Sequence, residues 1–322
     1  MPRPSSKQQN NVVSNAFRLT DEVRGGSRRL KSPAPKPSAV QILPTQIGEL
    51  SWLISGFSTR SGGFSRVYGK GALNLGFTKD DAKSAVEGNR AAFLSELCAS
   101  HKASEGTKPS LVTLRQIHSD IIRYVDSMPD SPLAGDGLIT GTPGLLLAIQ
   151  TADCLPIVLV DPKRRAVGVF HAGWRGTVKR IAEKGVGEMR RYFGSRAQNL
   201  RAAIGPGIHQ CCYAVGQEVR DQFESQFAYA DKLFRVVEES DPVREKYPML
   251  FLTARAPGHS ELPKKIYLDL VEANRQQLLA VGIPAKSIKA SSLCTNCRND
   301  LLFSYRAENG KTGRMMGVAG IL

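Results

Sequence analysis

Residues 145–176 read LLLAIQTADCLPIVLVDPKRRAVGVFHAGWRG, and three short apolar runs within them indicate the fold. The runs at residues 145–149, 157–160 and 167–170 are rich in Leu, Ile and Val and only a few residues long, which favours buried β-strands over helices. The Asp161-Pro162 step between the last two runs is typical of a turn. The stretch therefore predicts three consecutive strands joined by short connections.

Segments with helical periodicity lie on both sides of these strands. Residues 178–193 predict an amphipathic helix, with Thr177 as its N-cap. The other segments with helical spacing are residues 80–97, 216–227 and 268–281. This alternation of strands and helices predicts an α/β (α+β) fold, a single domain with mixed β-sheets.

The N-terminal segment differs in composition from the rest of the chain. Residues 1–40 contain eight Lys or Arg side chains against Asp21 and Glu22, and they hold few large apolar side chains. Such a segment buries too little surface to offset the entropy of ordering. An organelle transit peptide shares this composition, but no convincing amphipathic stretch accompanies it. We therefore predict a disordered basic tail over residues 1–45 and a folded domain over residues 46–322.

The overall charge and the cysteine content narrow the class of protein. The net charge of +15 is spread over tail and domain, and no nucleic-acid-binding motif accompanies it, so we expect no nucleic-acid partner. No run of 18 apolar residues exists, which predicts that the protein has no membrane-spanning helix. Six cysteines without an export signal are expected to be free thiols in a reducing compartment, and the predicted location is cytoplasmic.

Two imidazoles and one thiol stand next to predicted strands. His118 follows one apolar run, Cys154 precedes another, and His171 ends a third. One thiolate with two imidazoles is a donor set that suits zinc, and three protein ligands leave a coordination position open, as in catalytic zinc sites. The alternative is a buried core cysteine with two unrelated histidines. The residue types alone leave both interpretations open.

An ordered series of short motifs resembles the YfiH-like family, also called the laccase-domain or multicopper polyphenol oxidase family and described as purine nucleoside phosphorylases. The resemblance runs from about residue 53 to the C-terminus. It is carried by RQIH at 115–118, GDGLIT at 135–140, TADCLPI at 151–157, HAGWRGT at 171–177, IGPGI at 204–208, CCY at 211–213, CTNC at 294–297, FSYR at 303–306 and GR at 313–314.

The resemblance implies a fold, a metal and an activity. It implies helices outside a layered β core and a catalytic metal held by His118, Cys154 and His171, with zinc as the expected ion and copper as an alternative. It also implies phosphorolysis of adenosine, inosine, guanosine and S-methyl-5'-thioadenosine, with some adenosine deamination. Purine nucleosides and phosphate are the expected partners. Whether Cys154 is only a ligand or also a nucleophile stays open.

Three further residues are candidates for binding substrate or phosphate. Arg175 and Arg306 lie in motifs of the resemblance, and a guanidinium matches phosphate oxygens bidentately, although a structural ion pair is an equal alternative. Asp153 is a candidate to orient a histidine or act as a base, or to cap local backbone donors. Trp174 is a candidate to stack on a purine or to pack in the core.

The cysteines and histidines of the chain also suggest other chemistry and other functions. Cys294 and Cys297 form a C-x-x-C pair, but the adjacent pair Cys211-Cys212 has the wrong spacing for a zinc ribbon, so structural thiols near the site are expected. A cysteine hydrolase that acts on a cytoplasmic cell-wall precursor would use Cys154 and His171 as nucleophile and base. A copper-dependent polyphenol oxidase of the four-copper type needs more histidines than the five in this chain.

Overall fold

The computed structural model of the protein describes residues 39–101, 109–238, Lys246 and 264–322. Its strands are β1 Ile42–Leu43, β2 Leu53–Ser58, β3 Ser61–Ser65, β4 Ser110–Arg115, β5 Ile122–Tyr124, β6 Leu133–Ala134, β7 Gly137–Thr140, β8 Leu145–Thr151, β9 Leu155–Asp161, β10 Ala166–Ala172, β11 Arg201–Ile204, β12 Ala214–Val215, β13 Phe234–Glu238, β14 Lys264–Leu268, β15 Ile288–Ala290 and β16 Met315–Ile321. Its α-helices are α1 Lys83–Ser100, α2 Trp174–Val178, α3 Ile181–Phe193, α4 Gln217–Gln226 and α5 Leu270–Ala280.

Two six-stranded sheets form the centre of the fold. The first has the strand order β1-β2-β16-β8-β4-β6 and the second β15-β11-β9-β10-β7-β5, while β12, β14 and β13 form a small third sheet. Both large sheets are mixed: β8 pairs antiparallel with β16 and parallel with β4, and β11 pairs antiparallel with β9 and parallel with β15. The predicted fold class, mixed sheets with flanking helices, is confirmed.

The alternating side chains of the strands build three core layers. In β8, Leu147 and Ile149 pack between the two large sheets with Val158 and Val160 of β9. The residues between them point to the opposite faces, since side chains alternate along a strand. Leu146 meets α1 on the outside of the first sheet, and residues of α3, α4 and α5 cover the outside of the second sheet. The order of layers is therefore helix, sheet, sheet, helices.

The three strands predicted from residues 145–176 are confirmed as β8, β9 and β10, each slightly longer than its apolar run. The predicted helix at 178–193 is divided in the structure. Arg180 adopts a left-handed conformation with φ of 64°, which ends α2 and starts α3. The prediction that Thr177 is an N-cap was wrong, because Thr177 lies inside α2 and its hydroxyl donates to the carbonyl of Gly173.

The N-terminal prediction is only partly within the described chain. Residues 1–38 lie outside the described residues, whereas β1 falls within the range 1–45 assigned to the tail and pairs with β2. The ordered sheet therefore includes residues before position 46. Among the described residues, no helix combines the length and the apolar character that a membrane crossing requires.

Candidate metal and phosphate site

The two central strands bring the three predicted metal ligands together. Cys154 immediately precedes β9, and His171 lies in β10 opposite Pro156 of β9. His118 comes from the loop after β4, and its ring meets that of His171 edge to face with centroids 4.9 Å apart. One ligand atom from each of the three side chains lies within 4.8 Å of the others. The fold therefore brings together three residues that the sequence predicted to lie near three different strands.

Asp136, fully buried before β7, holds two of these ligands in position. Its Oδ1 accepts hydrogen bonds from the backbone amide of His118 (3.0 Å) and from Nδ1 of His171 (2.8 Å). Its Oδ2 accepts from the backbone amide and the hydroxyl of Ser119 (2.6 and 2.7 Å) and from the amide of Ile117 (3.2 Å). These bonds fix the loop in which His118 has a left-handed φ of 55°. One carboxylate therefore organises both histidines.

The bond to Asp136 also sets the protonation of the His171 ring. With Nδ1 donating to a carboxylate, Nε2 is the nitrogen that faces Cys154, the arrangement found for histidines that bind metals. Burial lowers the pKa of His171, but the contacts with Cys154 and Asp136 outweigh burial and raise the pKa to about 9. Burial likewise raises the pKa of Asp136, while its hydrogen bonds from His171 and Ser119 bring the pKa down to about 2.

Cys154 is prepared to act as a thiolate. Burial raises the pKa of its thiol, but the neighbouring His171 and His118 outweigh burial and lower the pKa to about 6. Gly173, at the N-terminus of α2, leaves the space beside this sulfur: a Cβ there would lie 2.9 Å from Sγ of Cys154 and 3.4 Å from Cδ2 of His118. A thiolate and two oriented imidazoles with room around the sulfur fit a zinc-type ion, whose ligands are of these types.

Asp153 takes the position of a structural anchor beside the three ligands. Its Oδ1 accepts hydrogen bonds from the hydroxyls of Thr295 (2.6 Å) and Ser304 (2.7 Å), and its Oδ2 accepts from the backbone amide of Arg306 (2.7 Å). The carboxylate that contacts a histidine is instead Asp136. Asp153 therefore connects the strand end that carries Cys154 to the segment that carries Arg306.

A cavity of about 580 Å³ is lined by the three candidate metal ligands and by the two predicted phosphate-binding arginines, Arg175 and Arg306. Its described lining residues are Leu114, Gln116, His118, Gln150, Ala152, Asp153, Cys154, His171, Arg175, Tyr213, Tyr305, Arg306 and Arg314. Asp153 is the only acidic residue among them. The cavity thus carries three guanidinium groups against one carboxylate. Positive charge of this density favours an anionic ligand.

The three arginines of the cavity are held by contacts other than ion pairs. Arg175 lies over the ring of Trp174 at 4.3 Å, and Arg306 donates to the carbonyl of Ala214 (2.8 Å). Arg314 donates to the carbonyls of Thr312 and Gly313. Within the described part of the chain, none of the three is paired with an acidic side chain. The alternative of a structural ion pair for Arg175 and Arg306 therefore finds no described partner.

Several residues of the site were not identified from the sequence. Asp136 and Arg314 stand in the quoted motifs GDGLIT and GR, and the signal that the sequence offered for Asp136 was an acidic residue between two glycines. Trp174, a candidate to stack on a purine, packs partly buried against the main core and lines a smaller neighbouring cavity. Tyr305, with 50% of its surface exposed, is the aromatic ring that the main cavity presents to solvent.

Comparison with known proteins shows the family of the chain. A "Purine nucleoside phosphorylase YlmD" of Geobacillus stearothermophilus is 33% identical over 276 residues, which are 83% of this chain and 89% of that protein. An "Adenosine deaminase RL5" from an unknown prokaryotic organism is 35% identical over 213 residues, 63% of this chain and 72% of that protein. The crystal structure of the hypothetical protein YfiH of Bacillus licheniformis superposes with a TM-score of 0.68 at 34% identity, covering 84% of this chain and 93% of that one.

The family relationship covers the whole described fold from β2 onward. The sequence model described as "Multi-copper polyphenol oxidoreductase laccase" matches residues 54–322, a range that includes all three candidate ligands and the three arginines of the cavity. Strand β9, which directly follows Cys154, and strand β10, which contains His171, are the two middle strands of the second sheet. The chain therefore belongs to this laccase-like family, whose relatives include the YfiH and YlmD proteins.

Proposed function

We propose that the protein is a zinc-dependent purine nucleoside phosphorylase that also deaminates adenosine. The proposed nucleosides are adenosine, inosine, guanosine and S-methyl-5'-thioadenosine. Relatives that carry the names of both activities support the proposal. The observation on which it mainly rests is that one cavity combines the three converging metal ligands with three arginines that have no described acidic partner. This combination suits nucleoside phosphorolysis, because the arginines can hold the attacking anion and a metal can stabilise the charge on the leaving purine.

The metal is proposed to bind to His118, Cys154 and His171, with copper as the alternative to zinc. Zinc held there would supply a Lewis acid beside the reacting nucleoside. The chain's own contribution is orientation: Asp136 accepts a hydrogen bond from Nδ1 of His171 and so turns Nε2 towards Cys154 and the proposed metal position. The same carboxylate holds the His118 loop, so both imidazoles are fixed before substrate binds.

Phosphate is proposed to bind to Arg175 and Arg306, with Arg314 contributing to the same positive field. In phosphorolysis a phosphate oxygen forms a bond to the anomeric carbon while the bond from that carbon to the purine nitrogen breaks, and the purine takes the electron pair. Arg306 is held by its carbonyl contact and by the bond from its backbone amide to Asp153, and Arg175 by its contact with Trp174. A preorganised guanidinium pair orients the nucleophile at little entropic cost.

The purine is proposed to lie against the remaining wall of the cavity. Tyr305 offers an exposed ring for stacking, and Leu114 and Ala152 add apolar surface. The side chain of Gln116 is held there by the backbone of Gln150. Its Nε2 donates to the backbone carbonyl of Gln150, and its Oε1 accepts from the backbone N–H of Gln150. In deamination, water would instead attack the purine carbon that carries the amino group and ammonia would leave, so the bond between ribose and purine stays intact.

A cysteine hydrolase is the second candidate, because Cys154, His171 and Asp136 also form a chain of nucleophile, base and orienting acid. A metal-free enzyme that loses activity on mild alkylation of Cys154 would favour the hydrolase. We further propose a cytoplasmic location, which is supported by six cysteines without a disulfide. The copper-dependent polyphenol oxidase is disfavoured by the small number of histidines.

Identification of the products tests the proposed activity. Purified protein is incubated with adenosine in the presence and in the absence of phosphate. Adenine and ribose 1-phosphate that form only with phosphate, together with inosine that forms in both conditions, are the expected products. Adenosine that remains intact at high enzyme concentration, or the formation of free ribose instead of ribose 1-phosphate, would contradict the proposal.

A further inference from the structure

A second group of metal-ligating side chains lies outside the cavity. Its members are Cys211, Cys212, Cys294 and Cys297, named here the four-cysteine cluster. All four sulfur atoms lie within 4.8 Å of one another. The sequence spacing argued against a zinc ribbon, because an adjacent cysteine pair cannot form the usual C-x-x-C loop. The fold nevertheless brings the two pairs together from loops more than 80 residues apart in the chain.

The separations in the cluster match a single tetrahedral ion. Sγ of Cys297 lies 3.6 Å from Sγ of Cys211 and 3.3 Å from Sγ of Cys212. Four sulfurs at about 2.3 Å from one zinc ion are separated from each other by about 3.8 Å. Disulfides join sulfurs two by two, whereas here one sulfur has two close neighbours and all four converge. An iron–sulfur cluster places several irons between its cysteines and spreads them further apart.

One sulfur of the cluster accepts a hydrogen bond from the backbone, as metal-bound sulfurs often do. The backbone amide of His209 donates a hydrogen bond to Sγ of Cys294 at 3.5 Å. A backbone donor of this kind orients the sulfur of a metal-binding cysteine. Cys294 is buried, while Cys211 and Cys297 are exposed, so an ion can enter from solvent.

The cluster lies where the fold lacks regular structure. Residues 291–314, between β15 and β16, contain no helix or strand, yet they carry Thr295, Tyr305 and Arg306 of the site. The start of this segment is joined to the loop after β11 by the backbone bond from Thr295 to Gly207 (3.0 Å). Thr295 then donates to Asp153 beside the candidate metal ligand Cys154. A cross-link at the four-cysteine cluster would hold this wall of the cavity in place.

We propose that the four-cysteine cluster binds one structural zinc ion through four sulfur ligands, separate from the metal site of the cavity. Four thiolates close the coordination shell, so this zinc has no position for substrate or water and serves structure alone. The ion fastens the segment 291–314 to the loop that carries Tyr213. It is therefore a stabilising element of the cavity wall and takes no part in the reaction.

Zinc content of matched variants tests the proposal. Protein purified without chelator is expected to hold about two zinc ions per chain, and Cys297→Ser and Cys154→Ala about one each, because each variant loses one site. Cys98→Ser, which removes the cysteine that belongs to neither site, is the control and is expected to keep both. Cys297→Ser protein with the zinc content of the wild-type chain would overturn the proposal. Unchanged zinc in Cys154→Ala would instead count against the cavity site alone, so the two failures are distinguishable.

A second measurement applies even if Cys297→Ser does not fold. X-ray absorption at the zinc edge of the Cys154→Ala chain isolates the second site and is expected to show four sulfur neighbours at about 2.3 Å. Nitrogen or oxygen neighbours, iron in place of zinc, or no bound metal would overturn the proposal. So would a disulfide between cluster cysteines, found by mass spectrometry of protein alkylated without reduction.

Discussion

Replacing Asp136 by asparagine tests how the fold prepares the metal ligands. The substitution keeps the size of the side chain but puts an amide nitrogen in place of one carboxylate oxygen. If the nitrogen replaces Oδ1, the amide of His118 and Nδ1 of His171 lose their acceptor; if it replaces Oδ2, the donors of Ile117 and Ser119 lose theirs. At least two buried or partly buried donors are therefore left without a partner in either orientation.

The expected cost follows from these lost bonds. A buried unsatisfied donor costs about 1–3 kcal/mol, so the free energy of unfolding should fall by about 2–6 kcal/mol. With an unfolding entropy of about 2.1 cal/mol/K per residue over 322 residues, Tm should fall by roughly 3–9 °C. The loss of the bond to His171 also frees the imidazole ring, and loss of such a partner typically reduces metal affinity or activity by about 10–100-fold.

Asp153→Asn is the matched control for this experiment. It also exchanges an oxygen of a buried, hydrogen-bonded carboxylate, but the donors that it affects belong to Thr295, Ser304 and Arg306 and not to a metal ligand. Thermal unfolding, zinc content and turnover are measured for both variants. We expect both to be destabilised and only Asp136→Asn to lose zinc affinity. Full zinc affinity in Asp136→Asn, with loss of zinc in Asp153→Asn, would refute the assigned role of Asp136.

Three further perturbations follow from the same geometry. Gly173→Ala places a methyl group 2.9 Å from Sγ of Cys154 and should weaken zinc binding measured by competition with a chelating dye; affinity equal to wild type would show that the sulfur can move freely. Arg175→Lys and Arg306→Lys should each raise the KM for phosphate roughly tenfold, because lysine keeps the charge but loses the planar fork, with deamination less affected. An equal loss of both activities would instead assign these arginines to the architecture of the site. Deletion of residues 1–38 should leave turnover and Tm unchanged, whereas deletion to residue 45 removes β1 and should lower Tm.

The central strands were predictable because their signal is local. Short runs of Leu, Ile and Val flanked by turn residues specify β8, β9 and β10 without information from elsewhere in the chain. The division between α2 and α3 was not predictable, because it depends on a left-handed Arg180 that is not a usual turn residue. Tertiary packing, not periodicity, decides such a conformation.

The candidate metal ligands could be named from the sequence, but the residue that holds them in position could not. His118, Cys154 and His171 stood out by residue type and by motif, and the structure brings them together. The role of Asp136 depends on a pairing between β7 and β10 that places its carboxylate beside the ring of His171. The four-cysteine cluster was missed for the same reason, because sequence spacing describes one loop and the cluster is formed by two.

The central claim is that the metal at His118, Cys154 and His171 is required for phosphorolysis. The direct test is the rate of ribose 1-phosphate formation from adenosine and phosphate by chelator-treated protein to which zinc is returned, for the wild-type chain and for Cys154→Ala. We predict that chelation abolishes the rate, that zinc restores it in the wild-type chain, and that zinc restores nothing in Cys154→Ala. A full rate after removal of all metal, or equal recovery of Cys154→Ala with zinc, would contradict the account.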